Sequence, residues 1–535
     1  MPSPTNLECS DAAVPRGRLR VWLLANRSSA RLAFMLRLVA MGVGSVMGFI
    51  WTPLLVRAMG DAVYGTFVSF QGALRLAGLG DFGLSGAVAV RTGQMIGRGE
   101  TDKLQPFLAS ARTALLIMAV LLGVVMCLLS PWLPGWLDFQ DTPGAGALPL
   151  LFIIGGVTMT VGMICGYFNG LNLANATVTW PILPVLVMTQ ATLLGQWLLA
   201  RAGAPLWMQS LPALLGLVAQ SLALWWMLKV AHPWLGRILP LRAETAVWRN
   251  LLATSGWVYL YALGHAVFSA TDRLLINSGF GPEAVPPFQF NFKLCELAIS
   301  VIGSASFVGQ AKINMWIANP APEFQERSRQ AVQRLLLFQS LLGTCAALGY
   351  LAVNNWFIKV WVGESYQMPS SLQWAFALTL VITCAGDAGL QIAGLCGPRG
   401  LRTAGTAIGV GALANLALSF VSMKLGSING IAWATVAAQS GVCLYLARFT
   451  ARHLELPVRI FMLRAWLLPV ASVGLLAALH AKVGSQDARS IGLLLAAAVV
   501  LVLLHCRLAG AGRAFFIHEW NQVRQIAGRK NNETN

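Results

Sequence analysis

Long apolar runs dominate the chain and are separated by short clusters of proline, glycine, asparagine and charged residues. A helix needs about 20 apolar residues to cross the hydrocarbon core of a bilayer. Fourteen runs reach roughly this length, at about 32–56, 62–97, 104–130, 147–168, 176–200, 208–231, 251–276, 283–317, 331–353, 371–393, 402–424, 428–449, 463–482 and 489–508. The pattern predicts an all-α, polytopic membrane protein with about 14 transmembrane helices, with twelve helices as the alternative.

The composition is also that of a membrane protein. Hydrophobic residues make up 56% of the 535 residues and charged residues only 11%, and the mean hydropathy is +0.65. A soluble domain has about a quarter of its residues charged, so this chain could not cover a water-exposed surface of its size. The net charge of +18 does not indicate nucleic-acid binding, because the basic residues are sorted by membrane side.

Lysine and arginine are distributed unevenly between the two predicted sides of the membrane. If both termini are cytoplasmic, 28 of these residues lie in the inner segments and 6 in the outer segments. The positive-inside rule predicts such an excess on the cytoplasmic side. We therefore expect an even number of spans and both termini in the cytoplasm.

The second and eighth runs are unusually long and contain charges and glycines. Two bundles of six or seven helices, with irregular helices at a shared interface, are typical of transporters. We therefore expect two lobes with basic ends. The expected segments are a cytoplasmic basic N-terminal segment at 1–31, an N-lobe of about six helices at 32–231, a cytoplasmic connection at 232–250, a C-lobe with extra C-terminal helices at 251–508 and a cytoplasmic basic tail at 509–535.

Three cations inside the predicted spans, Arg37, Arg75 and Lys293, are candidates for binding an anionic substrate. A charge at mid-bilayer costs about 2.5–3.5 kcal/mol on insertion scales, so each needs a partner or a hydrated cavity. Phosphate groups in a low dielectric need Arg or Lys partners, and we interpret the three residues as the lining of a cationic cavity. Alternatively, Arg37 extends to the inner headgroups, and Lys293 only neutralises Glu296 on the same helix face.

A second group of ionisable residues is a candidate for ion coupling or gating. Its members are Asp81, His265, Asp272, Arg273, Glu296 and Asp387. Asp272 and Arg273 lie near the predicted outer end of the seventh helix, where a local pair at the interface is the simpler interpretation. His265 stands two turns before Asp272 on the same face, and a buried, hydrogen-bonded histidine is its simpler interpretation. Asp387 is as well explained by a hydrogen bond to neighbouring backbone.

Sequence motifs of enzymes and cofactor sites are not found. The chain contains no Walker A loop, no HExxH, no GxSxG and no clustered His or Cys ligands. We therefore expect a protein that is not an enzyme and that holds no metal or cofactor.

Several stretches resemble the motifs of a known family. They are Gly60 to Gly65, Gly80 to Leu84 with the following Arg91, Thr271 to Ile276, Gly394 to Arg402, Asn415 to Ser419 and Ser427 to Ala434. Their order and spacing over about 400 residues are similar to those of the polysaccharide flippases, the Wzx-like O-antigen exporter branch of the multidrug/oligosaccharidyl-lipid/polysaccharide exporter superfamily. The sequence departs from the family at 281–288 (GPEAVPPF). The double proline there is expected to break the start of the eighth helix.

The resemblance implies twelve to fourteen helices in two pseudo-symmetric lobes around a central cavity. It also implies that the protein moves a polyprenyl-pyrophosphate-linked oligosaccharide across the bacterial inner membrane by alternating access. The product would serve O-antigen, capsule or exopolysaccharide synthesis, together with a polysaccharide polymerase and other assembly proteins.

Two other functions stay open at this point. One is a multidrug-type cation antiporter, which the buried basic residues do not favour. The other is a membrane-embedded glycosyltransferase or polysaccharide polymerase, with Asp138 and Asp141 as its acids.

Overall fold

The chain folds into long helices connected by short turns. The computed structural model describes residues 30–77, 101–136, 148–174, 180–231, 244–317, 322–395, 397–455, 462–483 and 488–509, with a few single residues between them. The first six long helices are α1 Ala30–Met59, α2 Asp61–Ala77, α3 Thr101–Leu129, α4 Leu148–Ala174, α5 Ile182–Arg201 and α6 Leu211–Ala231. The other eight are α7 Thr245–Phe280, α8 Val285–Ile317, α9 Pro322–Trp361, α10 Ser370–Leu395, α11 Gly397–Lys424, α12 Ile428–His453, α13 Leu468–Val483 and α14 Ala488–Ala509. The prediction of an all-α fold with about 14 helices is confirmed.

The helices carry an apolar outer surface. In the described part of the chain, nine helical segments are long and apolar enough to cross a membrane, and α10 and α14 contain shorter apolar stretches. Many of the exposed side chains on these helices are large and apolar, such as Val46 on α1, Leu128 on α3 and Val500 on α14. Such an extensive apolar surface suits a lipid environment and not water.

The packing of the helices repeats after six helices. In the first set, α1 packs on α5, α5 on α6, α6 on α4 and α4 on α3. In the second set, α7 packs on α11, α11 on α12, α12 on α10 and α10 on α9. The two bundles, α1–α6 and α7–α12, therefore correspond helix by helix, so that α2 and α8 are equivalent.

Helices α13 and α14 belong to the core of the second bundle. Both pack on α9 and on each other. Leu476 and Leu494 from this pair are buried in the same cluster as Leu351 and Leu380 from α9 and α10. A π-helical turn, Leu463–Leu467, leads into α13, and the Ser340 hydroxyl donates a hydrogen bond to the carbonyl oxygen of Ala465 in that turn.

The bundles meet mainly through α2, which packs on α7 and α8, and through α1, which packs on α8. Gly65 on α2 lies so close to the carbonyl of Pro282 that an added Cβ would overlap that carbonyl. Farther along α2, an ideal Cβ on Gly72 would lie 3.3 Å from the carbonyl oxygen of Ala270. Glycine therefore permits the close approach of α2 to the second bundle.

The double proline does not break α8, contrary to the sequence-based expectation. A single 3₁₀ turn at Pro282–Ala284 precedes the helix, and α8 then begins at Val285 with Pro286 and Pro287 in its first turn. The first turn of a helix tolerates proline, because its N–H groups have no partner within the helix.

Candidate functional site

Three charged side chains form a cluster between the two bundles. Lys293 and Glu296 lie one turn apart on α8, and the Lys293 Nζ atom is 2.9 Å from Glu296 Oε2. Arg273 on α7 approaches the same carboxylate, with its Nη2 atom 3.8 Å from Glu296 Oε1. Two cations thus share one carboxylate, and the cluster of these three carries a net positive charge. The side chains keep exposures of 15%, 28% and 38% for Arg273, Lys293 and Glu296, so the cluster lines open space.

Three cavities meet at this cluster. The second-bundle cavity, of about 340 Å³, lies among α7, α8, α10 and α12 and is lined by both Arg273 and Glu296. The inter-bundle cavity, of about 320 Å³, lies between α1 and α8 and is lined by Lys293 and Glu296. The first-bundle cavity, of about 440 Å³, lies among α2, α4 and α6 and reaches Arg273. A ligand bound at the cluster would therefore have space on three sides.

The structure places the three predicted cavity cations on helices next to the inter-bundle space. Lys293 is in the cluster, and Gly48 on α1 faces its aliphatic chain, since an added Cβ would lie 3.9 Å from Lys293 Cε. Arg37 lies on α1 and Arg75 on α2. The side chains of Arg37 and Arg75 fall outside the described part of the structure. The same applies to the side chain of Asp387 on α10, and Asp81 lies outside the described residues altogether.

Arg273 contacts a residue of α8, which the sequence did not indicate. The sequence favoured a local pair with Asp272 at the outer membrane surface, whereas Arg273 joins the inter-bundle cluster. Helix α7 continues to Phe280, which places Arg273 about 10 Å from the end of the helix at 1.5 Å per residue. Adjacent residues on a helix point about 100° apart, so Asp272 and Arg273 face different neighbours.

Asp272 contacts a polar cluster within the second bundle. Thr435 Oγ1 on α12 donates to Asp272 Oδ2 at 3.1 Å and also lies 3.0 Å from Asn415 Oδ1 on α11. A hydroxyl has one hydrogen and can donate to one of these two oxygens at a time. Asp272 Oδ1, Asn415 Nδ2 and the hydroxyl of Ser419 are buried with no hydrogen-bond partner in the described part of the chain. His265 lines the same cavity as Asp272 and Thr435.

The bundles are in direct contact at the end where α1 ends and α2 begins, here called the closed end. Tyr366, in the turn between α9 and α10, donates from Oη to Asp61 Oδ1 at 2.6 Å. The pKa of Tyr366 is raised to about 12, mainly by burial and secondly by the hydrogen bond to Asp61. The phenol therefore stays protonated and remains a hydrogen-bond donor. Trp361 Nε1 donates to the Phe49 carbonyl oxygen at 2.6 Å, and the rings of these two residues pack edge to face.

A different contact joins the bundles at the opposite end. The backbone N–H of Glu244, just before α7, donates to Ser110 Oγ at 3.0 Å, and Trp248 Nε1 donates to the Ser110 carbonyl oxygen at 3.2 Å. Ser110 lies on α3 and is fully buried. The predicted connection at 232–250 therefore ends in a fixed contact with the first bundle, and residues 232–243 of it lie outside the described residues.

Comparison with known sequences decides the family. The sequence profile of a family described as polysaccharide biosynthesis proteins matches residues 33–308, which is just over half of the chain. The chain belongs to this family. Among curated proteins, none matches the sequence of this chain.

Solved structures share the fold of this polysaccharide biosynthesis protein. A lipid II flippase, MurJ, in an inward closed conformation is similar with a TM-score of 0.65 and 13% identity over 87% of this chain and 97% of that chain. An inward-facing multidrug-resistance MATE transporter of the MOP superfamily has a TM-score of 0.56 and 12% identity over 82% and 98%. A MOP superfamily transporter from Pyrococcus furiosus, reported with a binding pocket of reverse polarity, has a TM-score of 0.56 and 14% identity over 83% and 99%. The protein is a multi-pass membrane protein with the fold of these transporters.

Several residues of the site were not identified from the sequence. The segment Asn415 to Ser419 matches a family motif. Its contact with Asp272, which Thr435 bridges, joins three helices and cannot be predicted from the spacing of residues along the chain. The contact of Tyr366 with Asp61 joins residues 305 positions apart, and no local pattern marks it. The signals available in the sequence were the spacings of Lys293 with Glu296 and of His265 with Asp272, each of which places two residues on one helix face.

Proposed function

We propose that this protein moves an oligosaccharide linked to a polyprenyl pyrophosphate from the inner to the outer leaflet of the bacterial inner membrane. The product would serve O-antigen, capsule or exopolysaccharide synthesis. The observation that carries the proposal is the cluster of Arg273, Lys293 and Glu296 at the meeting point of three cavities between the bundles. Membership of the polysaccharide biosynthesis family and the transporter fold support it.

The pyrophosphate is the part of the substrate that needs this cluster most. Its negative charge would be costly to place in a low dielectric without cationic partners. The guanidinium of Arg273 offers paired donors that match phosphate oxygens, and Lys293 adds a mobile point charge. Arg37 and Arg75, on the neighbouring α1 and α2, would contribute two further cations to the same space. Such a site binds the headgroup without chemical change.

The closed end supports a transport cycle in which the bundles separate and rejoin. With both termini in the cytoplasm, α1 runs outward and the closed end faces away from the cytoplasm. Headgroup release would then require the contacts of Asp61 with Tyr366 and of Phe49 with Trp361 to open. The contact of Glu244 and Trp248 with Ser110 would stay near the pivot on the inner side.

The topology has a direct test. A reporter that is active only outside the inner membrane, fused after Asn535, is expected to give no signal, because the Lys and Arg distribution predicts a cytoplasmic C terminus. The same reporter fused after Leu425, in the turn between α11 and α12, is expected to be active. The opposite pair of results would reverse the orientation and place the closed end on the cytoplasmic side.

Asp272 is proposed as the coupling residue. The oxygens of Asp272, Thr435 and Asn415 converge inside the second bundle, and oxygen ligands suit a hard cation, while the carboxylate alone suits a proton. Without a nucleotide-binding motif in the sequence, an ion gradient or consumption of the product must drive transport. Asp81, Asp387 and His265 remain secondary candidates for this coupling.

Replacing Asp272 with Asn should abolish any response of transport to an ion gradient while leaving headgroup binding within about twofold. The reason is that the amide keeps a hydrogen bond to Thr435 but can neither ionise nor be protonated. The measurement is transport by the purified protein in vesicles with an imposed sodium or proton gradient. Glu364→Gln, which changes an exposed acid paired with Lys359, is the control. A full gradient response in Asp272→Asn would remove Asp272 from coupling.

The function itself is tested by the sidedness of the substrate. Vesicles containing the protein and a fluorescent lipid-linked oligosaccharide would be treated with a glycosidase that cannot cross the membrane. The protein is expected to raise the accessible fraction from half to nearly all of the oligosaccharide, with its chemical structure unchanged before digestion. Metal-dependent transfer of sugar by the purified protein would instead support the glycosyltransferase. Export of a lipophilic cation, with no effect on the lipid-linked sugar, would support the antiporter.

A further inference from the structure

The second-bundle cavity has an aromatic wall. Phe288 and Phe292 on α8 and Phe376 on α10 line it. The ring centroids of Phe288 and Phe376 are 5.1 Å apart in an edge-to-face arrangement, and those of Phe292 and Phe376 are 5.0 Å apart. The three rings support one another and form a fixed apolar surface beside the charged cluster.

Amide and hydroxyl groups also face this cavity. Gln439 on α12 donates from Nε2 to Thr383 Oγ1 at 2.9 Å, which fixes the amide at the cavity wall. Gln289 on α8 keeps only 8% of its surface exposed, and its side-chain amide makes no hydrogen bond in the described part of the chain. Because Gln289 lines the cavity, its amide is open to a ligand there. A ligand hydroxyl in the cavity would find in it both a hydrogen-bond donor and an acceptor.

The first-bundle cavity offers a different surface. It is lined by Leu74, Met159, Met163 and Leu217, with several glycines and few polar groups. Its polar side chains include Gln71, which is exposed. The two cavities touch the same Arg273, but of the two only the second-bundle cavity combines a wall of aromatic rings with two side-chain amides.

Resting on the proposed function, we infer that the second-bundle cavity binds the sugar next to the pyrophosphate, a neutral hexose or N-acetylhexosamine. The C–H face of a pyranose packs on aromatic rings, whose faces carry negative charge, and its hydroxyls pair with amides such as those of Gln289 and Gln439. With Arg273 occupied by the pyrophosphate, the acids Asp272 and Glu296 on the walls disfavour a uronic acid by repulsion of like charges. A volume of about 340 Å³ is at the small end for a ligand site and suits a mono- or disaccharide.

Binding of four lipid probes to the purified full-length protein tests this inference. The probes are farnesyl pyrophosphate and the same lipid carrying N-acetylglucosamine, galactose or glucuronic acid on the pyrophosphate. Dissociation constants would be measured by calorimetry in detergent micelles. We expect at least one neutral sugar to tighten binding about tenfold, as one or two well-placed hydrogen bonds would do. Glucuronic acid is expected to give no gain.

The variant Gln289→Leu is expected to bring the glycosylated probe within about twofold of the bare probe. Thermal unfolding should stay unchanged, because Gln289 makes no hydrogen bond to the described chain. Gln71→Leu makes the same change in the first-bundle cavity and should keep the tenfold gain. Loss of the gain in Gln71→Leu, with retention in Gln289→Leu, would place the sugar in the first-bundle cavity and overturn the inference.

The bare probe separates this inference from the proposed function. If no neutral sugar tightens binding, the inference is wrong, and the proposed function still stands provided that Arg273→Gln weakens binding of farnesyl pyrophosphate. If farnesyl pyrophosphate does not bind, or binds equally to Arg273→Gln, the proposed function fails as well.

Discussion

Transport of the lipid-linked oligosaccharide is expected to fall about ten- to hundredfold when Arg273 is replaced by Gln. The change leaves Lys293 and Glu296 as a neutral pair, so the described cluster loses its net positive charge. A hydrogen bond to a charged group contributes about 1.5–3 kcal/mol, and each 1.4 kcal/mol corresponds to a factor of ten. The measurement is the rate at which the oligosaccharide becomes accessible in the vesicle assay, with protein amount and thermal unfolding recorded beside it.

Two further variants separate binding from folding at this cluster. Glu296→Gln removes the competing carboxylate and should bind the pyrophosphate more tightly while slowing its release. Lys293→Ala should be combined with Glu296→Gln, because the single change leaves Glu296 with fewer cationic partners. Arg329→Gln, which breaks an ion pair with Glu455 outside the cavities, is the matched control. Normal transport by Arg273→Gln at wild-type abundance would rule out the cluster as the headgroup site.

The variant Gly65→Val is expected to reduce transport to background. Even one added carbon at Gly65 overlaps the carbonyl of Pro282, so the larger side chain should hold the bundles apart at the closed end. The trapped protein should still bind the headgroup, because the atoms nearest to an added Cβ at Gly65 belong to the Pro282 backbone and not to the charged cluster. Labelling of a cysteine introduced at Gln71 by an impermeant maleimide, in a background without the nine native cysteines, should increase.

Gly441→Val is the control for this experiment. An added Cβ at Gly441 on α12 meets no atom within 4 Å, so the same substitution there should leave transport nearly unchanged. A bifunctional reagent that joins cysteines at Asp61 and Tyr366 should stop transport from the opposite, closed state. Full transport by Gly65→Val, or by the cross-linked pair, would show that the closed end does not open and close during the cycle.

The helices could be predicted from the sequence because membrane spans require uninterrupted apolar length. Hydropathy shows only the part of a helix in the bilayer, however, and the ends extend farther. Helix α9 was predicted at about 331–353 and occupies Pro322–Trp361, because its first turns carry Glu326, Arg329 and other polar residues. Such residues are stable in a helix outside the membrane but give no apolar signal.

The site could be predicted only where its residues share a helix. The pairing of Lys293 with Glu296 follows from a spacing of three, whereas the contact of Arg273 with Glu296 depends on how α7 packs on α8. Thr435 and Asp272 are 163 positions apart, and their contact depends on three helices at once. Arg273 and Arg75 are both arginines within predicted spans, so the sequence gave no reason to prefer Arg273 as the cation next to Glu296.

Glu296 also matters for the return step of a transport cycle, in which the transporter carries no substrate. After substrate release, a transporter must return to its starting conformation. Enclosing unpaired cations during this return would cost free energy, because they would lose their hydration. Under the proposed function, Glu296 would act as a counter-ion that pairs with Lys293 and Arg273 whenever the pyrophosphate is absent. An incoming pyrophosphate would then displace a carboxylate and not water alone, which would moderate its affinity and ease its release on the outer side. The same acid would thereby limit how tightly the substrate is held and allow the unloaded protein to return.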